Sequence, residues 1–147
     1  MKYFIFCVFV ALPAMFVSSA GASEDKIGVL AQHPSLSPSG QELVFDADFD
    51  GKSRLWICGL DGSRLRKVSS LGNPASAVTD LAPAWSPDGR MIAYTSIDGS
   101  SHDIWVMQAD GAYPVKLTAN GAKNGHPAWS PDGRKIVFTS DRDGTRA

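Results

Sequence analysis

An eight-residue run that occurs twice constrains this chain more than any other feature. Pro83 to Arg90 and Pro127 to Arg134 both read Pro-Ala-Trp-Ser-Pro-Asp-Gly-Arg, and Pro34-Ser35-Leu36-Ser37-Pro38-Ser39-Gly40-Gln41 is a worn third copy. A chain with an internal period in the twenties to fifties is an array of like units, each burying its apolar face against the next. Trp85 and Trp129 are 44 residues apart and Ser37 and Ser86 are 49 apart, while Ser37 to Trp56 and Ser86 to Trp105 both span 19. The first two units therefore align without gaps. Leu43-Val44-Phe45 falls over Ile92-Ala93-Tyr94, Leu55-Trp56-Ile57 over Ile104-Trp105-Val106, and Val68-Ser69 over Leu117-Thr118. The five extra residues of the first period fall between Ser70 and Asp80, a segment read as loop.

Each unit reads as four short strands joined by turns. In the second, Pro83 to Ser86 is a first strand opened by Pro83, where a missing amide proton is tolerated. In Ser86-Pro87-Asp88-Gly89 and its copy Ser130-Pro131-Asp132-Gly133, Pro presets φ, Asp suits the third turn position and Gly takes the left-handed exit. Met91 to Ser96, Asp103 to Gln108 and Pro114 to Thr118 supply the remaining strands, with Asp-Gly hairpin signals at Asp98-Gly99 and Asp110-Gly111. No stretch after Ser23 keeps a helical period, so the fold class expected is all-β. Four antiparallel strands in roughly 40 to 45 residues is the arithmetic of a β-propeller blade. The expected layout is a first blade over 33–69, a second over 82–118 and the first half of a third over 126–147. Trp56, Trp85, Trp105 and Trp129 are the expected packing between blades.

Composition excludes several classes. The chain is 44% hydrophobic and 20% charged with a formal net charge of −1, which leaves no electrostatic footprint for nucleic acid. Residues 1–22 have the parts of a secretory signal: Lys2, an apolar run from Tyr3 to Val17, and Ala20-Gly21-Ala22 as a cleavage site. The run is about 15 residues, short of the roughly 20 that span a bilayer, so no stable membrane anchor is expected. The mature chain then opens at Ser23 with a short lead-in over 23–32, and it acts in the periplasm or outside the cell. It keeps one cysteine, Cys58, expected as a buried thiol on a strand.

The repeat resembles the WD40-like propeller repeat of the TolB family, whose units read P-x-W-S-P-D-G, an apolar strand, S-D-x-D-G, D-I-W-V-M and L-T. Pro83 to Thr118 follows that pattern almost throughout, and Pro127 to Gly144 follows its first half, including Ser140-Asp141-Arg142-Asp143-Gly144. The resemblance implies a propeller that acts through protein or peptide contact. The same repeat stands before the catalytic domain of secreted peptidases of the prolyl oligopeptidase type, so the alternative expectation is the propeller portion of such a hydrolase. Family members have about six or more blades. Two and a half blades leave apolar faces and strand edges uncovered, which implies a truncated or split member, or one that self-associates.

No catalytic site is expected. The chain has no G-x-S-x-G nucleophile elbow, no glycine-rich phosphate loop, and no H-x-x-x-H spacing among His33, His102 and His126. No cofactor is expected. Asp46-Ala47-Asp48-Phe49-Asp50-Gly51 matches the first half of a calcium loop, but Ile57 stands where the bidentate Glu belongs, and hairpin chemistry accounts for these residues without a metal. If the Pro-x-Trp strand is innermost, as the resemblance implies, the positions before it open on a central channel. His33, Asp80, Asn124 and His126 are the candidate residues of that channel mouth.

Overall fold

The computed structural model describes residues 31–49, 51–69 and 77–144, which form ten strands and no helix. The first sheet runs in chain order through β1 (Ala31–Leu36), β2 (Glu42–Asp48), β3 (Ser53–Gly59) and β4 (Arg66–Lys67), each antiparallel to the next. The second repeats that order in β5 (Thr79–Trp85), β6 (Met91–Asp98), β7 (Ser101–Gln108) and β8 (Val115–Lys116). A third, two-stranded sheet pairs β9 (Asn124–Trp129) with β10 (Ile136–Ser140). The result is the all-β, blade-by-blade architecture expected from the repeat. The expected leader and nearly all of the lead-in lie outside the described residues, and β1 opens at Ala31.

The repeated octapeptide forms the same turn each time. Ser86 Oγ accepts from Met91 N at 2.9 Å and donates to Asp88 Oδ1 at 2.6 Å, which also accepts from Arg90 N at 3.0 Å. Ser130, Asp132, Arg134 and Lys135 repeat these bonds at 2.5, 3.1 and 2.9 Å. The serine hydrogen bond first, and the arginine amide next, hold the Asp88 and Asp132 carboxyls below their usual range. In the worn copy Ser39 replaces the aspartate: it bonds Ser37 at 3.1 Å and accepts from Gln41 N at 3.4 Å. Gly40, Gly89 and Gly133 take φ of 68°, 72° and 69°, the left-handed exit the turn requires.

Strand alternation gives each sheet two apolar faces. Val44, Leu55, Ile57 and Val68 leave the first sheet on one face and meet Trp85, Ile92, Tyr94 and Met107 of the second in one buried cluster. Leu43, Phe45, Ala47 and Cys58 occupy the opposite face of the first sheet, with Trp56 beside them. Full burial of a large apolar side chain is worth about 1.5–3 kcal/mol, so the cluster between the sheets is their main mutual attachment. Trp85 is a full member of it at 9% exposure, and half-buried Trp105 packs against its margin. Trp56 turns to the other face and meets Phe49 edge-on at 4.5 Å. Trp129 repeats the Trp85 position one sheet later, and its indole Nε1 donates to Ala84 O at 3.1 Å.

One strand boundary differs from expectation. Pro83 does not open β5; the strand begins four residues earlier, at Thr79, and Pro83 lies inside it. The β5–β6 register breaks between Leu81 and Ala84, and Ala82 takes φ 51°. The bulge explains the placement, because proline has no amide proton for the ladder and a bulge is where no ladder bond is required. Residues 33–34 and 126–127 do the same, with φ 47° at His33 and 52° at His126.

Candidate functional site

The first strands of the three sheets, β1, β5 and β9, pack side by side. Their bulges bring His33, Ala82 and His126 to equivalent places, each in a left-handed conformation uncommon for residues other than glycine. Such strain persists only where surrounding contacts enforce it, and it gathers at functional positions. Here the enforcing contacts join neighbouring sheets. Asp46 Oδ1 on β2 accepts from Ala82 N on β5 at 2.9 Å. Thr95 Oγ1, the same position one sheet on, accepts from His126 N at 3.1 Å. The bulge turns an amide away from its own ladder and towards the preceding sheet, where a buried acceptor meets it.

The same geometry brings two imidazoles together. The rings of His33 and His126 lie 5.7 Å apart between centroids at 69°, edge to face. His33 Nδ1 is 2.8 Å from Asp46 Oδ1, and Ser53 Oγ donates to Asp46 Oδ2 at 3.4 Å. Asp46 is buried at 4% exposure, whereas both histidines are exposed. The site is thus a buried carboxylate beneath two solvent-facing imidazoles. A His–Asp pair is also two-thirds of a nucleophilic triad, but no serine or cysteine bonds the His33 ring among the described residues.

Asp80 and Asn124, the other positions expected at the mouth, are instead enclosed at 2% and 1% exposure. Ser96 Oγ donates to Asp80 Oδ1 at 2.7 Å, and Ser140 Oγ to Asn124 Oδ1 at 2.8 Å, so both brace a first strand against its second. Asn124 Nδ2 also donates to His102 O in the second sheet at 3.1 Å. Alternation puts them two residues before the bulge, where the strand runs between its neighbours. Burial first, and the Asp80 charge next, push the Tyr94 phenol far above its usual range.

Of the aspartates matching half a calcium loop, Asp46 is engaged as described, Asp48 is exposed, and Asp50 lies outside the described residues. Among the described residues no cluster of three or more His, Cys, Asp or Glu side chains could hold a metal, and no helix is long and apolar enough to cross a membrane. A concavity of about 670 Å³ lies between the second and third sheets. Ile104, Leu117, Trp129, Ile136 and Phe138 line it, with the Arg142 guanidinium 5.2 Å above the Phe138 ring. The repeat register foretold Asp46 only as a turn or calcium residue. The signal for its role was the X-Pro pair inside a strand pattern, which marks a bulge and hence an amide in need of an acceptor.

The family model described as TolB beta propeller domain matches residues 34–147. The Tol-Pal system protein TolB of Anaeromyxobacter dehalogenans is 40% identical over 89 residues, covering 60% of this chain and 19% of that protein. The chain thus corresponds to about a fifth of that relative's length. A structure from Agrobacterium tumefaciens assigned to TolB superposes with a TM-score of 0.70 at 29% identity, covering 79% of this chain and 40% of that one. The β-propeller domain of the Trilobed protease from Pyrococcus furiosus superposes at 0.58 with 19% identity, covering 79% and 36%, a likeness of fold alone.

Proposed function

Because the chain belongs to the TolB β-propeller family, we propose that it is an exported, non-enzymatic propeller-repeat protein acting by protein–protein contact in the cell envelope. The observation that carries this reading is the combination of a TolB-type repeat with an exposed polar end, where His33 and His126 stand over a buried aspartate. Side chains lifted out of a rigid sheet by backbone bulges are already ordered before a partner arrives, which lowers the entropic cost of contact. The relative's name places it in the Tol-Pal system, and the leader read over residues 1–22 accords with action beyond the inner membrane. The apolar concavity lined by Trp129, Ile136 and Phe138 supports self-association as a second mode of contact.

Capture from an envelope extract tests the reading. Immobilised full chain enriches one envelope protein, and His126→Glu abolishes that capture whereas Lys67→Glu, on β4, does not. A folded chain that enriches nothing, or equal capture by both variants, sinks it. Export is tested separately by the mass of the protein recovered from the producing cell, where a mature N-terminus at Ser23 is the expected result.

A further inference from the structure

We infer that His33 and His126 form a site for a divalent transition-metal ion of the Zn²⁺ class, with Asp46 as its positioning residue. A carboxylate can only accept a hydrogen bond, so the 2.8 Å contact from His33 Nδ1 to Asp46 Oδ1 requires the proton on Nδ1. In the neutral ring the other nitrogen, Nε2, then carries a lone pair. This is the usual arrangement of a metal-binding histidine, whose outer N–H is held by a carboxylate that fixes both tautomer and ring orientation. Asp46 is itself fixed, since Ala82 N and Ser53 Oγ also donate to it and it is 4% exposed.

The second ligand stands beside the first. Two imidazoles on one tetrahedral Zn²⁺, at Zn–N distances of about 2.0–2.1 Å, hold their ring centres about 5 Å apart. The observed separation is 5.7 Å with the rings edge to face, so the exposed His126 side chain must rotate for its nitrogen to converge with His33 Nε2 on one ion. Among the described residues neither ring nitrogen of His126 has a hydrogen-bond partner, and its backbone is pinned to Thr95 Oγ1. Imidazole pairs suit Zn²⁺, Ni²⁺ and Cu²⁺ rather than the oxygen-seeking Ca²⁺ or Mg²⁺. With two protein nitrogens, the remaining coordination positions belong to water and stay open to a carboxylate or imidazole from outside. The inference does not rest on the partner reading, since metal binding and partner capture are measured separately.

Untagged full-length chain is titrated with Zn²⁺ alone, by calorimetry and by competition with a chromogenic chelator. One Zn²⁺ binds per chain. His33→Gln and His126→Gln each abolish saturable binding, while His102→Gln, outside the pair, leaves it unchanged. Asp46→Ala removes the one oxygen that accepts from both His33 Nδ1 and Ala82 N and so frees the His33 tautomer, and affinity falls about 10- to 100-fold. Long-range ¹H–¹⁵N correlations of His33 in that variant then show mixed tautomers, which a purely structural role for Asp46 would not produce. His126 is exposed, so His126→Gln keeps the native circular dichroism and serves as the decisive variant. Absence of saturable Zn²⁺ binding, or unchanged binding in folded His126→Gln, overturns the inference.

Discussion

Single residues matter here through backbone conformation and buried acceptors. Gly89 takes φ 72°, and a Cβ built there meets only Pro38 of the previous turn at an ordinary 3.7 Å. The cost of Gly89→Ala is therefore conformational, about 1–2 kcal/mol, and appears as a lower midpoint with unchanged slope in urea. Asp103 is the buried carboxylate with the clearest linkage to pH. Desolvation is the largest influence and raises its pKa. The bonds from Lys116 Nζ at 2.7 Å, Ser101 Oγ at 2.6 Å and Thr118 Oγ1 at 2.9 Å together outweigh it, so the pKa lies below its ordinary value of 3.8. A depressed carboxylate contributes stability that is complete above its unfolded pKa and is lost as pH falls through its folded value. The part of the stability that such carboxylates supply is thus level above about pH 5 and declines in acid. Asp103→Asn shows a shallower decline below pH 4, retaining the part due to Asp61, Asp88 and Asp132, which are also lowered. Equal acid slopes for wild type and variant would remove Asp103 from this account.

Sheets join through one packed cluster and one recurrent hydrogen bond. Trp85 inserts from β5 into the face formed by Val44, Leu55, Ile57 and Val68, yet among the described residues its buried indole Nε1 has no partner. Trp85→Ala opens a cavity and costs about 3–5 kcal/mol. Trp85→Phe keeps an aromatic ring and removes the unsatisfied donor, so its cost is clearly smaller, and thermal or urea unfolding ranks the two. The hydrogen bond is tested at Thr95, 2% exposed, which accepts from His126 N. Thr95→Val preserves shape and leaves that amide unpaired, at about 1–3 kcal/mol. Amide exchange at His126 quickens in this variant while exchange within β6 and β7 changes less. Uniform quickening across both sheets would mean that the bond does not act locally. Sequence periodicity marked Trp85, which packs between the sheets, together with Trp56, which lies on the opposite face of the first sheet. It could not show this bond, because Asp46 and Thr95 share a repeat position but no residue type.

Across the whole molecule, the first two sheets shield one another and the third is covered on fewer sides. Leu55, Val68, Ile92 and Tyr94 are all buried between the first pair. Their counterparts Ile104, Leu117, Ile136 and Phe138 line the 670 Å³ concavity, and Leu117 is 50% exposed. In the first pair Met107 on β7, the second sheet's third strand, completes the cluster; among the described residues the third sheet contributes β9 and β10 alone. Such a surface favours association, so the solution mass of the chain exceeds that of a monomer, and Phe138→Glu shifts it towards one. A monodisperse monomer for wild type would contradict this.

The sequence alone determined the architecture. The octapeptide, the 19-residue spacing of its serines from Trp56 and Trp105, and the two-residue alternation are local signals. Turn chemistry and strand periodicity act over a few residues, so they can be read without knowing what lies opposite. It also marked His33 and His126 as positions of interest, through repeat register. Tertiary structure decided which polar residues meet. Asp80 and Asn124 share that register but turn inward as braces, while Asp46, read as turn or calcium chemistry, becomes the carboxylate under His33 and the acceptor for Ala82. The reason is the bulge before each proline. One extra residue reverses the facing of everything before it, and the freed amide selects its acceptor from a neighbouring sheet 36 residues away in the chain. That pairing depends on how whole sheets stack, which no local pattern contains.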